Sequence, residues 1–136
     1  MIDVKIRGTL GATQAALRHM KSGGCIIMIG SCVGERVLTP GLVPYSATKR
    51  DRKDVSPGII QGGREQGHYG QQYQPGPIDT DLNAAAGDWA APQKAVTALD
   101  RYGHVDEVAA LVSFVAGPES SYISGANLTV DGGTNA

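Results

Sequence analysis

Aromatic side chains are scarce in this chain, with one Trp and one Phe against 19 Gly in 136 residues. Its two cysteines, Cys25 and Cys32, are too few for a disulfide framework and have neither CxxC nor Cys/His spacing. That excludes a thiolate metal site and leaves both as ordinary reduced thiols. Neither sign of charge dominates: twelve basic and 13 acidic residues give a net charge of -1. Nothing in this balance invites nucleic acid or an anionic membrane, so no partner of either kind is expected. No run of roughly 20 apolar residues exists to span a bilayer. Met1 to Gly8 lacks the apolar core of a signal peptide, and the cytoplasm is the expected location. The length suits one globular unit or part of one.

What is present is patterned. From Val4 to Met20, the apolar residues Ile6, Leu10, Leu17 and Met20, with Ala12, Ala15 and Ala16 between them, recur at helical spacing. They predict a helix with one buried face. Ser22-Gly23-Gly24 ends it, and the continuous apolar run Cys25 to Ile29 predicts a strand buried on both faces. Helix, tight turn and buried strand form half of a parallel α/β layer. Gly30 to Pro44 reads as a loop, and Tyr45 to Lys49 as the first turn of another helix. Val105, Val108, Ala109, Leu111, Val112 and Val115 mark a second amphipathic helix, stopped by Gly117-Pro118. Ala126 to Val130 alternates as a short strand closed by Asp131-Gly132-Gly133.

Between these elements the pattern breaks. Arg50 to Tyr73 holds five of the 19 glycines, seven charged residues and only five aliphatic or aromatic ones, without helical or strand periodicity. Nothing in it is expected to nucleate structure. So long a structureless loop is anomalous in a domain of this size.

Chemistry concentrates on either side of the break. Tyr45 and Lys49 are four apart, one turn from each other on a helix face. The spacing suits proton transfer, because an ammonium beside a phenol favours phenolate. A surface Tyr and Lys one turn apart share that spacing, so the pair alone is weak. Ser31 lies fourteen residues upstream, just after the predicted strand, where open α/β sheets place their ligands. Its hydroxyl can hydrogen-bond a carbonyl that Tyr45 protonates, although a Ser there also serves as an ordinary turn residue. In Gln74-Pro75-Gly76-Pro77-Ile78-Asp79-Thr80, two prolines and a glycine predict an extended turn with backbone groups free for a ligand. His19, His68 and His104 share no spacing that suggests a ligand set or a base.

Ile26 to Gly34, Tyr45 to Lys49, Gln74 to Thr80, and Arg101 to Val108 through Gly125 to Gly133 resemble, in order, the motifs of the short-chain dehydrogenase/reductase family. The resemblance implies an α/β fold, the C-terminal half of a Rossmann-like doubly wound parallel sheet, incomplete, as a single partial domain. Its parts would be 1–49, a scrambled 50–73, and 74–136. It implies an NAD(P)-dependent oxidoreductase moving hydride between nicotinamide and a small-molecule carbonyl or alcohol. Ser31 would polarise the substrate, Tyr45 act as general acid/base, and Lys49 assist Tyr45 and bind the nicotinamide ribose. Pro75, Gly76, Ile78 and Thr80 would contact the cofactor, NAD or NADP. Asp88-Trp89 would belong to a substrate-covering loop, and the assembly would be a homo-oligomer.

The chain also departs from the family's pattern. No GxxxGxG turn precedes Lys5, and Lys5 stands where the family has a catalytic Asn. Back-translation of Arg50 to Tyr73 with free synonymous codons and a one-base shift yields GTVKMLAQGLSREVGSRGITVNN, an amphipathic helix followed by a strand. Compensating frame shifts near the Lys49 and Tyr73 codons are therefore expected. The first strand is then expected to lose both neighbours, and the chain to be a truncated, inactive remnant or pseudogene product. The alternative is a non-catalytic nucleotide-binding or interaction fragment.

Overall fold

A computed structural model describes residues 3–37, 41–50, 65 and 67–136. Three strands, β1 (Cys25–Ile29), β2 (Tyr69–Pro75) and β3 (Asn127–Val130), form a parallel sheet in the order β1-β2-β3. Cys25 lies opposite Tyr69 and Ile29 opposite Tyr73, while Gln72 lies opposite Asn127 and Pro75 opposite Val130. Parallel pairing requires crossovers. The α-helices among the described residues are α1 (Gly8–Leu17), α2 (Val43–Arg50), α3 (Ala90–Ala95) and α4 (Val105–Ala116). None of them is long and apolar enough to cross a membrane, and no other described helix is.

The central strand corrects the expectation drawn from composition. β2 is the central strand, paired with β1 through Tyr69–Tyr73 and with β3 through Gln72–Pro75, although it is written Tyr-Gly-Gln-Gln-Tyr-Gln-Pro. Its backbone completes the ladders on both sides, and backbone groups elsewhere absorb most of its amides. Gln71 donates to the Ile123 carbonyl and accepts from the Ala126 N–H at 3.1 Å. The Gln72 amide donates to the Lys49 carbonyl at 3.4 Å, and that of Gln74 to the Glu35 carboxylate at 2.8 Å. The accommodation is incomplete, since buried His68 Nδ1 and Gln72 Oε1 have no partner among the described residues. β1 therefore has one of its neighbours. Residues 51–64 and 66, where the expected loss of a helix falls, lie outside the described residues.

Two further expectations are altered. The predicted helix from Val4 to Met20 is a π turn at Asp3–Arg7 continued by α1, and its one buried residue is Thr13. Leu10 is 39% exposed and Ile6, Leu17 and Met20 are half-buried, so the described residues cover the predicted apolar face only in part. Periodicity reports helicity and leaves open what packs against it. β1, predicted to be buried on both faces, is half-buried except at Met28, and Ile29 is exposed.

α4 agrees with its pattern and shows why it starts where it does. His104 Nδ1 accepts the Asp106 N–H at 3.4 Å, and the Glu107 carboxylate accepts the His104 N–H at 2.7 Å, a reciprocal cap. Arg101 grips the same carboxylate through two hydrogen bonds of 2.7 and 2.8 Å. The Arg101 hydrogen bond and then the His104 N–H hold the Glu107 carboxyl down at about 2, below its ordinary 4.5. A lowered folded value stabilises the protein above the ordinary value and is lost as pH falls through the folded one. Thermal midpoints of wild type and Glu107→Gln should therefore converge as pH drops from 4.5 towards 2. A gap that persists at pH 2 would show that the carboxylate does not hold the cap.

Candidate active site

All three strands point their carboxyl ends the same way, and the residues that leave them form the site. After β1, Ser31 is extended and its Oγ accepts the Val33 N–H at 3.3 Å, capping a 3-10 turn at Cys32–Gly34. α2 begins two residues before Tyr45 and carries Tyr45 and Lys49 one turn apart. It is pinned to the turn by the Ser46 hydroxyl, which donates to the Val33 carbonyl at 2.8 Å. The Lys49 ammonium sits 5.5 Å from the Tyr45 ring centre and donates to the carbonyls of Gly30 at 3.0 Å and Ile29 at 3.4 Å. The lysine thus joins α2 to the end of β1.

β2 ends in Pro75-Gly76-Pro77, where the Gly76 N–H donates to the Val130 carbonyl at 2.9 Å. A Cβ at Gly76 would lie 2.6 Å from Asp131 Cα and 2.8 Å from its carbonyl oxygen, backbone atoms that cannot swing aside. Gly76→Val should cost about 3 kcal/mol by overpacking, read from the urea midpoint. An unchanged midpoint would mean that the two strand ends separate easily. Beyond β3, Asp131 accepts the N–H groups of Gly133 and Asn135, and the Asn135 amide donates to the Cys32 carbonyl at 2.9 Å. Burial, followed by the charge of Asp131, pushes the Cys32 thiol up to about 11, so it is neutral.

A cavity of about 620 Å³ opens between these ends, and Ser31, Tyr45 and Gly76 share its wall. Lys49 stands behind Tyr45 rather than in the wall, and Pro75 is held in the ladder opposite Val130. Ile78 faces a different, smaller cavity of about 250 Å³, beside Gly103. Thr80 closes a turn on Asn83, whose N–H it accepts at 3.2 Å. The structure therefore brings Ser31, Tyr45 and Gly76 together, and sets Ile78 and Thr80 apart from them.

Other lining residues carried no signal in the sequence. Asn83 and Gln93 exchange amide hydrogen bonds of 3.0 and 3.1 Å across the loop that bears Trp89. The Tyr102 hydroxyl adds a 3.4 Å bond to Asn83. Arg36 also reaches the wall. No spacing pattern joins these positions, which meet only because the loop folds back.

A family model described as enoyl-(acyl carrier protein) reductase matches residues 1–135. The cyclic-di-GMP-binding biofilm dispersal mediator protein of Escherichia coli is 35% identical over 136 residues, covering 100% of this chain and 57% of that protein. Glucose 1-dehydrogenase 2 of Bacillus subtilis is 31% identical, covering 98% and 53%. Among solved structures, a short-chain dehydrogenase/reductase from Serratia marcescens superposes with a TM-score of 0.97 at 39% identity, covering 100% of this chain and 56% of that one. A short-chain dehydrogenase from Burkholderia cenocepacia in complex with NADP gives 0.97 at 41%, covering 99% and 55%. The chain spans about half the length of the curated relatives it matches. Its parallel half-sheet is thus an incomplete Rossmann fold, and the chain belongs to the short-chain dehydrogenase/reductase family.

Proposed function

We propose that the site is built for NAD(P)-dependent interconversion of a carbonyl and an alcohol, and that these 136 residues alone do not turn over. One observation carries the first half: Ser31 and Tyr45 line one cavity at the carboxyl ends of parallel strands. In the reductive direction, Ser31 donates to the substrate oxygen and orients it, and Tyr45 delivers the proton to that oxygen. Lys49, one turn from Tyr45, sets a positive charge behind the phenol. The nicotinamide, when bound, supplies or receives the hydride. Its fit here is partial. Gly76 and Pro77, which line the cavity with Ser31 and Tyr45, suit the nicotinamide end, with Pro75, Ile78 and Thr80 assigned by resemblance to the same loop. No GxxxGxG turn occurs among these residues to cradle a pyrophosphate, as Rossmann folds require. The Burkholderia structure holds NADP, which supports the cofactor class.

The second half rests on residues within the chain. Lys5 occupies the position of the family's Asn, and a cation cannot accept that residue's hydrogen bond. Gln72 Oε1 in the central strand and His68 Nδ1 just before it are buried without a partner among the described residues. A non-catalytic nucleotide-binding or interaction role is the reading favoured if binding survives without chemistry. NADPH titrated against the fluorescence of Trp89, the single Trp of the chain, separates the cases. The expected result is no saturable quenching at micromolar NADPH and no carbonyl-dependent NADPH oxidation. Oxidation that falls ~100-fold or more in Tyr45→Phe would establish the catalytic reading and overturn inactivity. Quenching without oxidation would establish the binding role.

A further inference from the structure

We propose that the large cavity selects compounds in which a carboxylate is separated by an apolar body from the group presented to Ser31 and Tyr45, and that Arg36 holds the carboxylate. Only the identity of the reacting end rests on the oxidoreductase reading. The carboxylate and the apolar body rest on the cavity wall alone.

Arg36 is the single charged residue among the described residues that line the cavity. No acidic side chain faces it there, and its guanidinium makes no ion pair or side-chain hydrogen bond among the described residues. The adjacent carboxylate, Glu35, is turned away to accept the Gln74 amide at 2.8 Å. The carboxylate that follows β3, Asp131, accepts the N–H groups of Gly133 and Asn135. A lone cation at an otherwise uncharged wall attracts a monoanion, and its planar fork matches a carboxylate.

The rest of the wall sets the body of the ligand. Leu42, Leu82, Trp89 and Val96 line the cavity. Leu82 is 98% exposed and Trp89 72% exposed, large apolar surfaces that a ligand lying in the cavity would cover. The reciprocal Asn83–Gln93 amides hold the loop bearing both residues and satisfy each other, so they make few demands on a polar ligand. A volume of about 620 Å³ accommodates a small aryl-alkyl or medium-chain acid. Apolar lining with one placed charge is the usual composition of a pocket for an amphipathic small molecule.

The test uses the full 136-residue chain without cofactor and reads Trp89 fluorescence during titration with sodium 4-phenylbutanoate or its methyl ester. The acid should give a saturable change and bind about fivefold more tightly than the ester, as suits an exposed ion pair, with the gap closing at high salt. Arg36→Gln should abolish the preference, and Arg36→Lys should retain part of it. Arg36 is exposed, so neither variant endangers the fold. Equal affinity for acid and ester, an undiminished preference in Arg36→Gln, or no response to the acid would each overturn the proposal. NADPH titrated in parallel keeps the readings apart. A chain that binds the acid but not NADPH retains this inference while failing as a cofactor-binding protein.

Discussion

Replacing residues 50–72 with GTVKMLAQGLSREVGSRGITVNN should raise the free energy of unfolding by about 1–3 kcal/mol, measured from the shift of the urea midpoint. The estimate comes only from the described part of the segment. His68 Nδ1 and Gln72 Oε1 are buried and unpartnered, and each such atom costs ~1–3 kcal/mol relative to a satisfied or apolar group. The shifted frame puts Ile at position 68 and Asn at position 72. The first removes an orphaned ring nitrogen. The second is a shorter amide in place of one that reaches only the Lys49 carbonyl, at 3.4 Å. An unchanged or lowered midpoint would show that the present sequence suits the strand as well as the shifted one, and the frame-shift proposal would lose its energetic support.

Tyr73→Ala should destabilise the chain by about 3–5 kcal/mol, the usual cost of deleting a buried aromatic ring. Tyr73 is fully buried in the middle of the sheet, flanked by Ile29 on β1 and Leu128 on β3. Its hydroxyl donates to the Leu111 carbonyl of α4 at 3.3 Å, which ties the sheet to the helix. Tyr73→Phe keeps the ring and drops that bond, and should cost only about 1 kcal/mol. Comparable losses in the two variants would assign the stability to the hydroxyl, and negligible loss in both would mean that the core beneath α4 is loosely packed. The two predictions oppose each other in sign although both concern β2. One change relieves a polar group buried poorly at the entrance to the strand, and the other removes the side chain the strand buries well.

Local pattern made the flanking elements legible. α4 was readable from Val105 to Val115 because its apolar repeat, its start and its Gly117-Pro118 stop all lie within one segment. β1 was readable as a strand because Cys25 to Ile29 carries its own preference. β2 was not, because Gln71, Gln72 and Gln74 have no preference for a buried central strand. Two neighbouring strands, each contributing a backbone ladder, impose that conformation. The exposure of α1 was equally hidden, since a periodic face says nothing about what lies against it.

The site divides along the same line. By itself, the sequence determined the family and singled out Ser31, Tyr45 and Lys49 as candidates, since these sit on segments whose local geometry follows from a strand end and a helix turn. Only the tertiary structure decided that Ser31, Tyr45 and Gly76 share one cavity while Ile78 faces another. It alone brought Arg36, Leu82 and Trp89 into the lining of one cavity. Residues far apart in the chain meet through the parallel register of three strands, a relation between segments that no single segment encodes.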